Sequence, residues 1–245
     1  MAKQMKTGIA GLDDLIYGGF PQGRCVLVLG GPGSGKTILG LQFMYKGASE
    51  FNEPGVYVTL CESPDEIREN ALQFGWDLKK LEKEGKLLIL DARPVSVTEA
   101  GYIVPSRELF QGEKIPFSRL VKLISDKVSK VGAKRLVIDS LNVLNLQYEN
   151  NFYVRQGTLG LIQALGQMGC TTFLLCERHG EAEVLLQEFL AQAVTVLHYI
   201  RREGLMIRAF QILKIRGAKH SMQVHPMEIT DKGIVIHPKE RVIEA

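Results

Sequence analysis

One short stretch constrains this chain more than any other. Gly30-Gly31-Pro32-Gly33-Ser34-Gly35-Lys36-Thr37 fits the Walker A pattern G-x-x-x-x-G-K-[ST], which carries meaning only where a strand runs into it and a helix leaves it. Both flanks are present. Cys25 to Leu29 is a near-continuous apolar run, and Thr37 to Ala48 places Leu39, Phe43 and Ala48 among polar residues. Glycines allow main-chain N–H groups to curl around phosphate oxygens, and the helix amino end adds the positive end of its dipole. The segment Gly31, Pro32, Gly33, Ser34, Gly35, Lys36 and Thr37 is therefore expected to cradle a nucleoside triphosphate such as ATP, or its product ADP. Lys36 can reach the outer phosphates, and the Thr37 hydroxyl would hold Mg2+.

The rest of the chain repeats that strand-then-helix texture. Val56 to Leu60, Leu87 to Leu90, Leu136 to Ile138 and Thr172 to Cys176 are short Val/Leu/Ile-rich runs, as expected of strands buried on both faces. Between them, Ser63-Pro64-Asp65-Glu66 reads as an N-cap, a proline at the first helical position and a Glu three after the cap, opening a helix through about Phe74. Phe117 to Val131 and Tyr153 to Met168 carry apolar residues at helical spacing. The pattern predicts an α/β fold with a mainly parallel central sheet flanked by helices. After Glu188, β-rich runs separated by Arg202-Glu203-Gly204 and Asp231-Lys232-Gly233 predict hairpins adding antiparallel strands to the sheet edge. No linker divides residues 1–245, so one domain is expected, with Arg93 to Pro116 a long excursion or partly mobile loop.

Charge and cysteine usage exclude several classes. Thirty Lys plus Arg against 27 Asp plus Glu leaves a net charge of +3, too small to demand an anionic polymer, so nucleic acid is an allowed but unfavoured partner. No apolar run is long enough to span a membrane and no signal-like start is present, which predicts a cytoplasmic chain with no membrane partner. Cys25, Cys61, Cys170 and Cys176 show neither a Cys-x-x-Cys spacing nor nearby histidines, so no zinc site or disulfide framework is expected.

A magnesium-bound triphosphate needs an acid at the end of a neighbouring strand, and Arg135-Leu136-Val137-Ile138-Asp139 supplies one in Asp139. Ser140 either joins that cluster or caps the next segment.

Thr7-Gly8-Ile9-Ala10-Gly11-Leu12-Asp13-Asp14-Leu15 and Gly18-Gly19-Phe20-Pro21-Gln22-Gly23 precede the P-loop strand. With Glu62-Ser63-Pro64-Asp65-Glu66, Phe74-Gly75-Trp76-Asp77-Leu78 and Lys214-Ile215-Arg216-Gly217-Ala218-Lys219-His220, they cover nearly the whole chain, which resembles one domain of the KaiC branch of RecA-type ATPases. The resemblance implies a RecA-like P-loop fold, a cytosolic location, ATP and Mg2+ at subunit interfaces, and a homo-oligomeric ring, commonly a hexamer.

Water attacking a γ-phosphate needs an acceptor for its proton, and a carboxylate ending the strand beside the P-loop strand suits that task. Val58 to Glu62 ends there. Members of this family usually carry two adjacent glutamates at this point; here the first is Cys61 and the second is Glu62. Glu62 is either the water-orienting base or a helix-start group. Lys214 and Arg216 match family positions that reach the next subunit's nucleotide, and His220 matches a third; the alternative is a solvated basic strand end. Where the clock domain has a Ser-Thr pair for autophosphorylation, this chain has Glu188 and Phe189, which argues against autokinase activity. Three readings remain open: a ring ATPase acting on an unidentified protein partner, a nucleotide-gated assembly or regulatory module with weak hydrolysis, and a recombinase-like DNA binder. Against the last, Asn145 to Phe152 and Arg178 to Glu183, where recombinases hold DNA, are neutral to acidic.

Overall fold

The computed structural model describes residues 3–93, 95–97, 103–105, 116–146, 151–178, 186–202 and 204–242. In chain order the elements are β1 (Gln4–Met5), α1 (Leu12–Leu15), β2 (Phe20–Pro21), β3 (Cys25–Gly30), α2 (Lys36–Glu50), β4 (Gly55–Thr59), α3 (Pro64–Leu72) and α4 (Leu78–Lys83). There follow β5 (Leu87–Asp91), β6 (Val95–Val97), β7 (Ile103–Pro105), α5 (Phe117–Val131), β8 (Arg135–Asp139), α6 (Asn142–Leu146), α7 (Asn151–Gln167) and β9 (Thr171–Glu177). The last quarter holds α8 (Leu186–Leu190), β10 (Ala193–Arg202), β11 (Leu205–Ile215), β12 (Val224–Thr230) and β13 (Gly233–Ile236).

Nine strands form one sheet in the order β13-β12-β11-β10-β3-β9-β8-β4-β5. From β10 to β5 every pairing is parallel, and from β10 to β13 every pairing is antiparallel. The mainly parallel sheet and the carboxyl-terminal hairpins are as predicted. Two expectations need correction. The strand before Glu62, β4, does not lie beside the P-loop strand, and neither does β8, which carries Asp139: β9 pairs with β3 on one side and with β8 on the other. Apolar runs buried on both faces carry no label for their neighbours, so chain order could not reveal that a strand late in the sequence inserts between earlier ones. β10 likewise runs parallel to β3 and only its successors reverse.

Alternation along the strands sorts side chains to two faces. Val26 and Val28 pack with Leu39 and Phe43 of α2, whereas Leu27 and Leu29 pack with Leu120 and Ile124 of α5 and Leu161 and Leu165 of α7. Helix α3 starts with the expected capping box, Ser63 and Glu66 each accepting from the other's main chain, but ends at Leu72; Asp77 then caps a separate helix, α4. The expected excursion from Arg93 to Pro116 lies largely outside the described residues, within which β6 and β7 pair antiparallel. Among the described residues no helix is long and apolar enough to cross a membrane.

Arg135, the first residue of β8, is 0% exposed. Its guanidinium donates to Glu53 Oε2, to the main-chain oxygens of Lys6 (2.7 Å), Thr7 (3.2 Å) and Phe43 (2.8 Å), and lies over the Phe43 ring. One buried cation thus ties the amino-terminal segment and α2 to the strand that ends in Asp139. Buried charges persist where such partners compensate the lost water.

Candidate nucleotide-binding site

Strand β3 is buried along its full length and ends at Gly30, where the chain turns through the loop into α2. Two loop glycines take left-handed backbone conformations, Gly33 with φ +74° and Gly35 with φ +102°. These are values that residues with a Cβ rarely adopt. Each is also crowded: a Cβ on Gly33 would stand 3.2 Å from the Tyr199 ring, and one on Gly35 3.2 Å from Ile229. Gly31, Pro32 and Gly33 face solvent to differing degrees, and Ser34 is buried with its hydroxyl unpartnered.

The Lys36 ammonium donates to the main-chain oxygens of Gly30 at 2.8 Å and Gly31 at 2.9 Å, folded over the loop it follows. Burial lowers its pKa, while the carboxylates of Glu177 and Asp139 act the other way. Thr37 Oγ1 donates to Asp139 Oδ2 at 2.7 Å, so the residue expected to bind metal and the acid expected to assist it meet although two strand spacings separate β3 from β8. Tyr57 donates to the same oxygen at 2.8 Å. Burial raises the Asp139 pKa; the Thr37 and Tyr57 hydroxyls and the Lys36 charge oppose it, and Glu177 adds to it. A carboxylate and a hydroxyl are hard oxygen donors, and Mg2+ is commonly held by one or two carboxylates together with substrate phosphates. Among the described residues no group of three or more His, Cys, Asp or Glu could hold a metal by itself. The donor set therefore fits Mg2+ carried in with a nucleotide.

Glu62 lies past the end of β4, beyond a bend closed by the Thr59 hydroxyl donating to Glu62 O at 2.6 Å. Asn70 Nδ2 of α3 donates to Glu62 Oε2 at 2.9 Å. Burial, Asp139 and Glu66 raise the Glu62 pKa, and the Asn70 hydrogen bond lowers it. The Cys61 sulfur stands 4.0 Å from Ser140 Oγ, and burial raises its pKa, the opposite of what an activated nucleophile needs.

Lys214, Arg216 and His220 are not brought to this chain's own P-loop. Lys214 pairs with Val194, which pairs with Leu27, three residues before Gly30, or roughly 10 Å along the strand. The Arg216 N–H donates to Gln192, whose own N–H donates to Cys25 O, placing Arg216 farther still from the loop, and its guanidinium donates to Phe189 O at 2.7 Å. His220 Nδ1 lies 2.8 Å from Ser221 O, beside the end of α1.

Sequence reading missed several neighbours of the loop. Glu177 ends β9 directly opposite Gly30, its main chain gripped by both ends of the Asn142 amide. The polar Glu177-Arg178 step after a buried strand was the available signal. Arg208 donates to Gly33 O at 3.2 Å with its guanidinium 4.5 Å from the Tyr199 ring centre, so the β10–β11 hairpin grips the loop's outer side.

Comparison with known proteins agrees with this architecture. A family model for the KaiC ATPase matches residues 5–241. The circadian clock oscillator protein KaiC of Synechococcus elongatus is 40% identical over 239 residues, covering 96% of this chain and 44% of that protein. The chain thus spans less than half the length of the KaiC proteins it matches. A UPF0273 protein of Aeropyrum pernix is 36% identical over 252 residues, covering 99% of this chain and 96% of that one. The crystal structure of a KaiC-like protein from Pyrococcus horikoshii superposes with a TM-score of 0.84 at 38% identity, covering 97% of this chain and all of that one.

Proposed function

The chain belongs to the KaiC family of ATPases, and from that premise we propose that it is a cytosolic, single-domain, Mg2+-dependent ATPase that works as a ring with nucleotide at its subunit interfaces. Nucleotide binding by a RecA-like fold holds at the level of the family. The observation that carries the finer reading is the hydrogen bond from Thr37 to Asp139 under the P-loop.

In this reading Lys36 exchanges its loop carbonyls for the β- and γ-phosphates, and Thr37 and Asp139 hold Mg2+. The metal, when bound, offsets charge on the phosphate oxygens. Glu62, held by Asn70, orients a water and takes its proton as the water oxygen bonds to the γ-phosphorus and the bond to the β-phosphate oxygen breaks. Lys214 and Arg216 are too far from their own loop and serve a neighbour's, and His220 belongs to the same contact surface. Arginine supplied in trans is a recurrent device in such enzymes. An oligomeric ring, most simply a hexamer, supplies that neighbour.

One observation favours a second reading, a nucleotide-gated assembly module with weak hydrolysis: Cys61 leaves a single carboxylate at the end of β4, and Asn70 already engages it. Steady-state phosphate release separates the two, with Lys36→Ala as the control that cannot bind nucleotide. Steady turnover cut at least tenfold by Glu62→Gln, with binding kept, supports the ATPase. Negligible turnover joined to an ATP-dependent change in mass by light scattering supports the assembly module and overturns the first reading.

A further inference from the structure

We propose that Tyr57 is a positioning residue for the metal site, its phenol fixing the direction in which Asp139 faces so that Mg2+ meets a carboxylate already set. This rests on Thr37 and Asp139 holding the metal, as proposed above.

Tyr57 stands in the middle of β4, a strand whose residues are all buried, and is itself 1% exposed. Phenylalanine would fill such a place. A hydroxyl there is costly unless it is partnered, and this one donates to Asp139 Oδ2. The partner follows from register. In the β4–β8 ladder Tyr57 pairs with Val137 and Thr59 with Asp139, so Tyr57 and Asp139 point from the same face and meet on the diagonal, a spacing that long aromatic side chains bridge. The tyrosine ring also lies against α2, where a Cβ on Gly40 would stand 3.8 Å from Tyr57 Cε2. Held between β4 and α2, the phenol has little freedom to turn away. The Asp139 main chain is pinned to the same edge, its oxygen accepting from Leu60 N at 2.6 Å.

Thr37 and Tyr57 donate to one carboxylate oxygen from different elements, yet they stand differently toward a metal. Thr37 is itself an expected ligand, its hydroxyl lone pairs meeting the ion while its O–H donates to Asp139. Tyr57, fully buried in β4, is not an expected ligand, so its hydrogen bond to Asp139 Oδ2 is available to set the carboxylate's direction alone. Partners of this kind are typically worth about 10–100-fold in metal affinity.

The test is Tyr57→Phe in the full chain, followed by binding of a fluorescent, hydrolysis-resistant ATP analogue in EDTA and across a Mg2+ titration. The expected result is an unchanged affinity in EDTA and a Mg2+ midpoint raised about tenfold. Equal midpoints in the variant and the parent overturn the proposal. A parent whose nucleotide binding ignores Mg2+ refutes instead the assignment of Thr37 and Asp139, and the proposal falls with it. Should the variant fail to fold, 3-fluorotyrosine placed at position 57 gives a second measurement. Its 19F resonance is expected to move when Mg2+ joins the bound analogue, and a resonance that stays in place overturns the proposal.

Discussion

Replacing Arg135 by methionine tests the buried hub at the start of β8. Methionine follows much of the arginine stem but removes every donor. The main-chain oxygens of Thr7 and Phe43 are left in a buried setting without the guanidinium, and that of Lys6 in a partly buried one. Each such oxygen costs about 1–3 kcal/mol, toward the low end for Phe43, which keeps its place in the α2 ladder, and for Lys6, which water can reach. Glu53 loses its ion pair but is 23% exposed, so water recovers part of that loss. Packing by methionine returns about 1 kcal/mol. The net is about 4 kcal/mol, within the range of roughly 3–5 kcal/mol for removing one partner of a buried pair. For a chain of this length that lowers the midpoint of thermal unfolding by roughly 8–16 °C. Urea unfolding followed by circular dichroism measures it directly. A methionine variant within about 1 kcal/mol of the parent would refute the argument, since the hub would then be replaceable by packing alone.

Two further outcomes concern turnover. The Asn70 N–H favours ionised Glu62, so Asn70→Ala raises the Glu62 pKa further, lowers the ionised fraction at a given acidic pH, and moves the acidic limb of the pH–rate profile upward; an unmoved limb removes Glu62 as the base. Arg216→Ala is expected to spare nucleotide binding and to lower activity about a thousandfold or more at the neighbour's site. In rings mixed from Arg216→Ala and Lys36→Ala subunits, each inactive alone, activity is expected to return where a Lys36→Ala subunit serves an Arg216→Ala neighbour, and mixtures that stay inactive refute this.

Local chemistry was legible in the sequence, and lateral arrangement was not. The glycines of the P-loop, the Ser63–Glu66 capping box and the glycine turns after Arg202 and Asp231 each act within a few residues, and each stands where the chain predicts it. The insertion of β9 beside β3 depends instead on which buried faces fit together, and Val/Leu/Ile runs are interchangeable in that respect. Tyr57 and Asn70 were missed for a related reason. A tyrosine in an apolar run reads as core and an asparagine in a helix as surface, until folding brings a carboxylate 82 residues from the first and 8 from the second. Arg135 reads as a polar strand end, and α2 together with the returning Lys6 and Thr7 makes it buried.

The register of β10 and β11 gives the molecule a direction. Its phosphate loop is at one end of β3, whereas Lys214 lies level with Leu27 in mid-strand and Arg216, through Gln192, near the strand's start. Copies joined head to tail as an open string would always leave one loop unserved at the first member and one pair of cations idle at the last. If those cations serve a neighbour's nucleotide as proposed, bending the string until its ends meet satisfies both at once, and whether it closes is set by the rotation between successive copies.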